Sequence, residues 1–242
     1  MIKLNESKIV DGYEREWDAL FSGGAFRLRY RRDPFLDEIS EHLQNQDVHK
    51  ILSVPCGDGI NELYLCKKGF SLDCVDISSE ALRKFKRRIG RRPRVAVYKF
   101  DAFKLSEKFQ NAEAILSLDF IFHISPKLGE FLSQVTRSLK PGGVLIFNFY
   151  TPLDDSYQHG KKIGKKTYKV IPNILIKYFT LDEIKRAVED AGLTLTLVTE
   201  YVRKDKTHYG FRREKGDFHT HRGYLVYCTK KVNGDERQKT AI

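Results

Sequence analysis

Two glycines in a short turn, and a carboxylate at the end of the next predicted strand, are the residues of this 242-residue chain best suited to chemistry. Gly57 and Gly59 lie in the turn 55–59, and Asp76 follows a predicted strand at 72–75. Glycine lets backbone N–H groups approach a ligand closely, because it carries no side chain. A carboxylate at a strand end can accept hydrogen bonds from both hydroxyls of a ribose. The pattern indicates a site for a cofactor that contains adenosine.

The elements around these residues fit a strand, turn, helix and strand in succession. The apolar run 51–54 predicts a buried parallel strand before the turn. After the turn, a helix ending at Gly69 is predicted, and its buried face is formed by Ile60, Leu63, Tyr64 and Cys66. Such a unit places the N–H groups of the turn beside a ligand at the helix start.

A dinucleotide such as NAD is the alternative ligand of this unit. A dinucleotide site uses the spacing G-x-G-x-x-G, in which the third glycine lets the helix pack closely on the strand beneath the pyrophosphate. Here the third position is Glu62, whose carboxylate would face the negative pyrophosphate. The sequence therefore disfavours NAD and leaves it as the second choice.

The spacing resembles the first motif of class I S-adenosylmethionine-dependent methyltransferases. In that family an acid stands two residues before the glycine core, and a second acid binds the ribose. The resemblance covers about residues 34–230 and is carried by three further segments: Asp101-Ala102 after a predicted strand at 95–100, Leu118-Asp119 after one at 114–118, and the turn 140–143 before one at 144–149.

The resemblance implies an α/β fold with a doubly wound, mostly parallel sheet of seven strands, the last of them antiparallel. It also implies a division of the chain into three parts. These are an N-terminal cap or substrate segment at 1–33, the methyltransferase domain at 34–230 with a lid-like insertion at 151–177 and a basic hairpin at 201–222, and a flexible tail at 231–242.

The cofactor implied by the resemblance is S-adenosyl-L-methionine, with S-adenosyl-L-homocysteine as its product. The methionine end is assigned to the glycine turn, the ribose to Asp76 and its neighbour, and the adenine to the segment after the third strand. The expected cofactor-binding residues are Ser53, Pro55, Cys56, Gly57, Gly59, Asp76, Ile77, Asp101, Ala102, Leu118 and Asp119.

Two residues depart from the family motif. Ser53 stands where the family has the first acid, and Pro55 replaces the first glycine. A serine hydroxyl offers fewer strong hydrogen bonds than a carboxylate, and proline removes one N–H. Pro-Cys-Gly variants of the turn occur in the family, so a working site is expected. A non-catalytic protein that binds S-adenosylmethionine is the alternative.

The segment 118–121 restricts the acceptor. It lacks the Asp/Asn-Pro-Pro-aromatic tetrad of enzymes that methylate adenine or glutamine nitrogens, and no cysteine between Cys74 and Cys228 provides the nucleophile for carbon 5 of pyrimidines. What remains is methylation of an O, N or S atom by in-line displacement, which depends mainly on alignment and on proton removal.

Few side chains identify the acceptor itself. His123 is the candidate general base, with packing near the cofactor as its other interpretation. Tyr13 and Trp17 are spaced to share one helix face, and they either close over the ligands or only pack on the domain. The expected substrate residues are Tyr13, Trp17, Arg27, Arg29, Tyr30 and Tyr150.

The net charge of +11 is concentrated in blocks. The block 83–94 is best interpreted as a solvated helix face, but three others fall on segments expected around the cleft. Their cations are Arg27, Arg29, Arg31, Lys161, Lys162, Lys165, Lys166, Arg212 and Arg213. Together they favour a small anionic substrate as the partner, and RNA is the alternative because tyrosines lie between the basic residues.

The remaining features argue against a disulfide-bonded, a metal-binding or a membrane-inserted protein. The four cysteines lack C-x-x-C spacing and are interpreted as reduced thiols in a cytoplasmic protein. The histidines His208, His219 and His221 lack a completing cysteine or acid, so no metal is expected. No apolar run is long enough to cross a membrane, so no membrane insertion is expected. The sequence gives no indication of the oligomeric state.

Overall fold

The computed structural model describes residues 6–22, 32–170, 173–206 and 218–232. Its main sheet has seven strands, in the order β3-β2-β1-β4-β5-β10-β9, and a second sheet has three strands, in the order β6-β7-β8. The strands are β1 (Lys50–Ser53), β2 (Ser71–Asp76), β3 (Val95–Lys99), β4 (Ala112–Ser117), β5 (Leu139–Tyr150), β6 (Lys161–Gly164), β7 (Thr167–Val170), β8 (Ile174–Lys177), β9 (Leu193–Lys206) and β10 (Phe218–Lys230).

Helices cover both faces of the main sheet. They are α1 (Glu6–Asp11), α2 (Tyr13–Ser22), α3 (Leu36–Asn45), α4 (Ile60–Lys67), α5 (Ser79–Ile89), α6 (Leu105–Lys108), α7 (Leu128–Ser138) and α8 (Leu181–Asp190). Two short 3-10 helices lie at Ala102–Lys104 and Ser125–Lys127.

The first five strands of the main sheet are parallel, whereas β10 runs antiparallel to both β5 and β9. The expected doubly wound fold with an antiparallel last strand is therefore confirmed. Because parallel strands end at the same edge, the residues that follow β1, β2, β3, β4 and β5 meet there. The expected cofactor-binding residues from Ser53 to Asp119 lie at or next to this carboxyl edge.

Burial explains why these segments form strands. Strand β1 is buried over its last three residues, and the last eight residues of β5 are all buried. Continuous apolar runs suit strands that are covered by helices on both faces. Helices α5 and α7 each bury an apolar face, with Phe85 and Phe131 fully enclosed.

The predicted face of α4 is wrong. The residues of this helix that are buried are Glu62 and Leu65, whereas Ile60, Leu63, Tyr64 and Cys66 are only partly buried. The prediction failed because it followed the apolar residues alone, and their periodicity does not signal a buried carboxylate. A hydrogen bond from Ser53 at the end of β1 holds Glu62 inward instead.

Side-chain caps fix two helix starts as the sequence indicates. The Ser78 hydroxyl accepts the Ala81 N–H at the start of α5. At the start of α8, Thr180 and Glu183 form a reciprocal capping box. In both helices a side chain therefore satisfies a backbone N–H of the first turn.

The insertion at 151–177 contains the second sheet. Its strand β8 lies closest to the carboxyl edge, because the Lys177 N–H donates to the Phe122 carbonyl at 2.9 Å. Strand β6 is at the far side of this sheet, separated from β8 by β7. The insertion therefore meets the site through β8 and not through the lysines of β6.

No helix within the described ranges is both long enough and apolar enough to cross a membrane.

A substitution of Gly59 tests the packing of the turn between β1 and α4. Gly59 has φ +79°, and a Cβ placed there would lie 2.1 Å from the ring of Phe85. We expect Gly59→Ala to lower the free energy of unfolding by about 1–3 kcal/mol, because both the backbone and the ring must shift.

Gly129→Ala is the matched control for this substitution. Gly129 lies in α7 with open space around its Cβ position, so the change should be neutral or stabilising. Urea denaturation of the three proteins provides the comparison. Equal stabilities of Gly59→Ala and wild type would contradict the packing described here.

Candidate functional site

The carboxylate of Asp76 links the turns that follow β1 and β2. Its Oδ2 accepts the Gly57 N–H and its Oδ1 accepts the Ser78 N–H, both at 2.8 Å. Burial raises the pKa of Asp76 to about 6, although these backbone hydrogen bonds oppose the shift. Each carboxylate oxygen has two lone pairs, so Asp76 retains acceptor capacity for a ligand's hydroxyl groups.

The residues expected around the ribose and adenine lie on the neighbouring segments. Ile77 follows β2 and is partly buried. Asp101 follows β3, and its Oδ1 accepts the Phe103 N–H at 2.9 Å, which starts the 3-10 helix containing Ala102. The Phe100 N–H donates to the Asp76 carbonyl, so this segment is fixed to the end of β2.

The cofactor turn itself runs from Pro55 to Gly59. Its positive φ angles at Gly57 and Gly59 are +54° and +79°, which favour glycine at both positions. Cys56 lies inside, where burial raises the pKa of its thiol well above the usual range. A thiol held neutral is a poor nucleophile, so the geometry agrees with a packing role for Cys56.

Ser53 and Glu62 hold the two ends of the turn together. The Ser53 hydroxyl donates to Glu62 Oε1 at 2.6 Å, and both residues are almost completely buried. Burial raises the pKa of Glu62 to about 8. In the sequence Glu62 argues only against a dinucleotide, because no helical periodicity signals its inward position.

Helix α2 crosses the carboxyl edge on the cofactor side. Asp18 Oδ1 accepts the Ser78 hydroxyl at 2.7 Å and the Glu80 N–H at 3.1 Å, next to the Asp76 carboxylate. The ring of Phe21 lies 3.7 Å from the place where a Cβ on Gly57 would be. The N-terminal segment therefore covers the glycine turn directly, as a cap on this site would.

On the acceptor side, α2 is anchored through Tyr13. Its hydroxyl donates to the His123 carbonyl at 2.8 Å and accepts the Leu175 N–H at 3.0 Å. Tyr13 is buried, so it positions other groups and presents little surface to a ligand. The Trp17 ring lies one turn further along and packs edge-on against the His123 ring at 5.3 Å.

The tautomer of His123 is determined by its contact with Leu175. Its Nδ1 lies 2.6 Å from the Leu175 carbonyl oxygen, and because a carbonyl only accepts, Nδ1 carries the proton. Nε2 is therefore a hydrogen-bond acceptor. Burial lowers the pKa of His123 to about 4, which keeps the imidazole neutral near pH 7.

Asp119 follows β4 in a left-handed conformation with φ +52°. Its N–H donates to Asn148 Oδ1 at 2.6 Å, and its Oδ1 accepts from Asn148 Nδ2 at 2.8 Å. Asn148 is fully buried on β5 and thus holds Asp119 in an uncommon backbone conformation. Leu118, its neighbour, is buried.

Arg203 of β9 contacts Asp119 and residues of two further segments, Asp33 before α3 and Tyr150 at the end of β5. Its guanidinium lies 2.7 Å from Asp33 Oδ1 and 3.3 Å from Asp119 Oδ2, and it donates to the Tyr150 hydroxyl at 2.9 Å. The Arg203 side chain is only 7% exposed and that of Asp33 only 1%. The sequence does not predict this buried ion pair, because it places Arg203 in the basic hairpin at 201–222 as a cation available to a substrate.

The Tyr150 ring is fixed from both sides. It stacks on Phe122 with centroids 4.2 Å apart and on His221 with centroids 4.5 Å apart. His221 Nδ1 in turn lies 2.9 Å from Asp154 Oδ2, and both side chains are buried. The predicted substrate residue Tyr150 is thus immobile, with its hydroxyl held by Arg203.

Of the nine cations expected around the cleft, four lie in the part of the chain that the structure describes. Lys161 and Lys162 lie exposed on β6, far from the edge that β8 forms, and Lys165 is exposed in the following turn. Lys166 forms an ion pair with Glu183 at 2.6 Å. The other expected residues, Arg27, Arg29, Tyr30, Arg31, Arg212 and Arg213, lie outside the described residues, as do His208 and the side chain of His219.

In the portion of the chain that the structure describes, no three His, Cys, Asp or Glu side chains are grouped as metal ligands. The four cysteines are all free thiols.

The site residues fit S-adenosylmethionine. This molecule carries two positive groups, a sulfonium and an ammonium, against one carboxylate, and a ribose with two hydroxyls. The described acids at the carboxyl edge include Asp33, Glu62, Asp76 and Asp119, whereas Arg203 is a buried cation among them. Asp76 would hold the ribose, and the acidic interior suits a ligand with net positive charge.

Arg203→Met tests the ion pair that links β9 to the site. Removing one partner leaves Asp33 buried without its cation, so we expect the free energy of unfolding to fall by about 3–5 kcal/mol. The double variant Arg203→Met/Asp33→Asn should recover much of this loss.

The exposed pair of Arg32 and Asp37 is the control, since its side chains are 42% and 55% exposed. Arg32→Met should change stability far less than Arg203→Met. Comparable losses in the two variants, measured by urea denaturation, would show that the Arg203 pair is not buried as described.

A titration tests the neutral state of His123. In the folded protein its Hε1 resonance should titrate at about pH 4, and in urea at the ordinary value of 6.5. Because the unfolded chain binds this proton more readily, the stabilising contribution is complete above pH 6.5 and is lost as the pH falls towards 4. Titration of the folded protein near pH 6.5 in NMR spectra would disprove the buried geometry.

Comparison with known proteins agrees with this geometry. The sequence model of a family described as a methyltransferase domain matches residues 27–198. No curated protein sequence matches the chain significantly.

Solved structures with the same fold include three from different organisms. An S-adenosylmethionine-dependent methyltransferase from Clostridium acetobutylicum is 16% identical with a TM-score of 0.62, over 92% of this chain and 99% of that one. One from Methanosarcina mazei is 19% identical with a TM-score of 0.62, over 79% and 97%. The 1,6-didemethyltoxoflavin-N1-methyltransferase of Burkholderia thailandensis, with bound S-adenosylhomocysteine, is 17% identical with a TM-score of 0.59, over 94% and 87%.

At such identities the structural likeness concerns the fold, whereas the family match spans more than half of the chain. The glycine turn, the Asp76 carboxylate and the strand order are those expected for the cofactor that this family uses. The chain therefore belongs to the methyltransferase domain family and is a class I S-adenosylmethionine-dependent methyltransferase.

Proposed function

We propose that the enzyme transfers the methyl group to an O, N or S atom of a small molecule. The observation that carries this proposal is the path of α2 across the carboxyl edge. Asp18 contacts the cofactor side of the edge at Ser78, and Tyr13 contacts the acceptor side at His123. A helix anchored at both places covers the cleft, and a covered cleft suits a small acceptor better than a polynucleotide.

S-adenosylmethionine, when bound, supplies a methyl group on a positively charged sulfur that is already a good leaving group. The protein needs mainly to align the acceptor and to exclude water. The rings of Trp17 and Phe21 on α2 provide an apolar cover for this purpose. The immobile Tyr150, stacked between two rings, provides a fixed wall.

His123 is proposed as the group that receives a proton or a hydrogen bond from the acceptor. Its Nε2 lone pair is available because Leu175 holds the proton on Nδ1. The low pKa of about 4 makes this imidazole a weak base, so it assists most with an acceptor whose own proton is acidic. A strongly basic proton acceptor is not required for a sulfonium donor.

The acceptor is proposed to carry a negative charge, and exposed cations are proposed to attract it towards the cleft from a distance. The buried cation Arg203 is neutralised by Asp33 and Asp119, so it offers little net charge to an anion. Exposed lysines of the insertion, at positions 161, 162 and 165, can instead raise the rate of encounter. A small acceptor also agrees with the substrate named for the Burkholderia thailandensis neighbour.

Methyl incorporation from labelled S-adenosylmethionine tests the proposal. We expect a labelled product from a small-molecule extract, and none from total RNA or protein fractions. Replacement of the three lysines by glutamine should lower kcat/KM severalfold at low salt and leave kcat unchanged, because steering acts on encounter.

A gel-shift assay at about 150 mM salt separates this proposal from RNA methylation. RNA that neutralises about four phosphates on binding should give a slope of about −3 when the logarithm of the binding constant is plotted against that of the salt concentration. Tight binding of RNA with such a slope would overturn the small-molecule proposal. Cofactor binding without turnover on any fraction would point to a binding role instead.

A further inference from the structure

One carboxylate oxygen in the cofactor site has no hydrogen-bond donor. Glu62 is only 4% exposed, its Oε1 accepts the Ser53 hydroxyl, and its Oε2 is fully buried without a partner among the described residues. A buried oxygen of a carboxylate that lacks a donor costs free energy. A buried polar atom without a partner therefore calls for an explanation, and a bound ligand that completes its hydrogen bonds is one.

The surroundings of Glu62 place this oxygen at the glycine turn. Ser53 is the last residue of β1, and Glu62 lies in the first turn of α4 just after Gly59, so the pair encloses the turn. Asp58 of the turn and Asp33 are close enough to raise the pKa of Glu62 electrostatically, after burial as the main cause. A cation is the ligand that this group of acids favours.

The other acids of the site are already engaged. Both oxygens of Asp76 accept backbone N–H groups, and Asp119 pairs with Asn148 and Arg203. Asp58 pairs with Arg88 at 2.9 Å, and Asp33 with Arg203. Within the described part of the chain, Glu62 is the buried carboxylate with an oxygen still to be satisfied.

We propose that Glu62 Oε2 binds the ammonium group of the methionine end of the cofactor, and that Glu62 with Ser53 replaces the acid missing from the end of β1. The proposal rests on the assigned orientation, in which the glycine turn holds the methionine end. Glu62 then acts as a cofactor-binding residue, and Ser53 orients its carboxylate.

Proton release should accompany this binding. The pKa of Glu62 is about 8 in the free protein, and a bound ammonium would lower it, so binding near pH 7.5 should release part of a proton. The other groups that face Glu62 contribute little. Cys56 and Cys74 have raised thiol pKa values, and Asp76, with a pKa of about 6, is already ionised near that pH.

Two ligands and two variants test the proposal by calorimetry. S-adenosylhomocysteine carries the ammonium, whereas 5′-methylthioadenosine lacks the amino acid part but keeps the ribose and adenine. We expect Glu62→Gln to raise the dissociation constant of S-adenosylhomocysteine by about tenfold to a hundredfold. The dissociation constant of 5′-methylthioadenosine should change by less than about twofold. Asp76→Asn, the control, should weaken both ligands.

Each outcome separates this inference from the proposed function. If Glu62→Gln lowers the affinity for both ligands equally, or for neither, the role of Glu62 is overturned and the cofactor site is unaffected. Failure of the wild type to bind either ligand would contradict the cofactor assignment itself. Unchanged affinities in Asp76→Asn would show that the orientation is wrong.

A measurement on the wild type guards against a variant that folds poorly. The number of protons released on S-adenosylhomocysteine binding can be measured by calorimetry at about pH 7.5 in buffers of different ionisation enthalpy. We expect release with S-adenosylhomocysteine and none with 5′-methylthioadenosine. Equal release with both ligands would contradict the pairing of Glu62 with the ammonium.

Discussion

The site depends on one buried carboxylate that joins two turns. Asp76 accepts N–H groups from Gly57, after β1, and from Ser78, after β2. These two contacts fix the glycine turn against the start of α5, so the turn cannot open without exposing a buried acid. The next contact in the chain of hydrogen bonds, from the Ser78 hydroxyl to Asp18, extends this constraint to α2. Helix α2 is therefore anchored to the same turn that the Asp76 carboxylate holds.

Charge is divided between the interior and the surface of the protein. The chain carries a net charge of +11, yet the carboxyl edge is lined by acids with Arg203 as a buried cation among them. Exposed arginines and lysines on α5 and β6 account for part of the positive charge. The interior suits a cationic cofactor, whereas the surface favours the approach of an anionic partner. A net charge counted over the whole sequence cannot separate the acidic interior from the basic surface, because it ignores burial.

The fold could be predicted because its signals are local. Apolar runs at 51–54 and 144–149, the cap at Ser78 and the capping box at Thr180 each lie within a few residues. The resemblance of the glycine turn to a known motif then supplied the strand order. The packing of α4 was predicted wrongly because its periodicity does not show that Ser53 would hold Glu62 inward. Contacts between distant segments carry no such local signal.

The same argument applies to the acceptor side. Arg203 and Asp33 are 170 positions apart, and no spacing rule relates them, yet they form a buried pair that also reaches Asp119. A motif assigns a role to a position along the chain, whereas a site needs an atom at a place in space. Ser53 at the end of a strand and Glu62 in the first turn of a helix point to the same place. An acid lost from the strand can therefore be supplied by the helix, because what the ligand meets is the carboxylate and not its position in the motif.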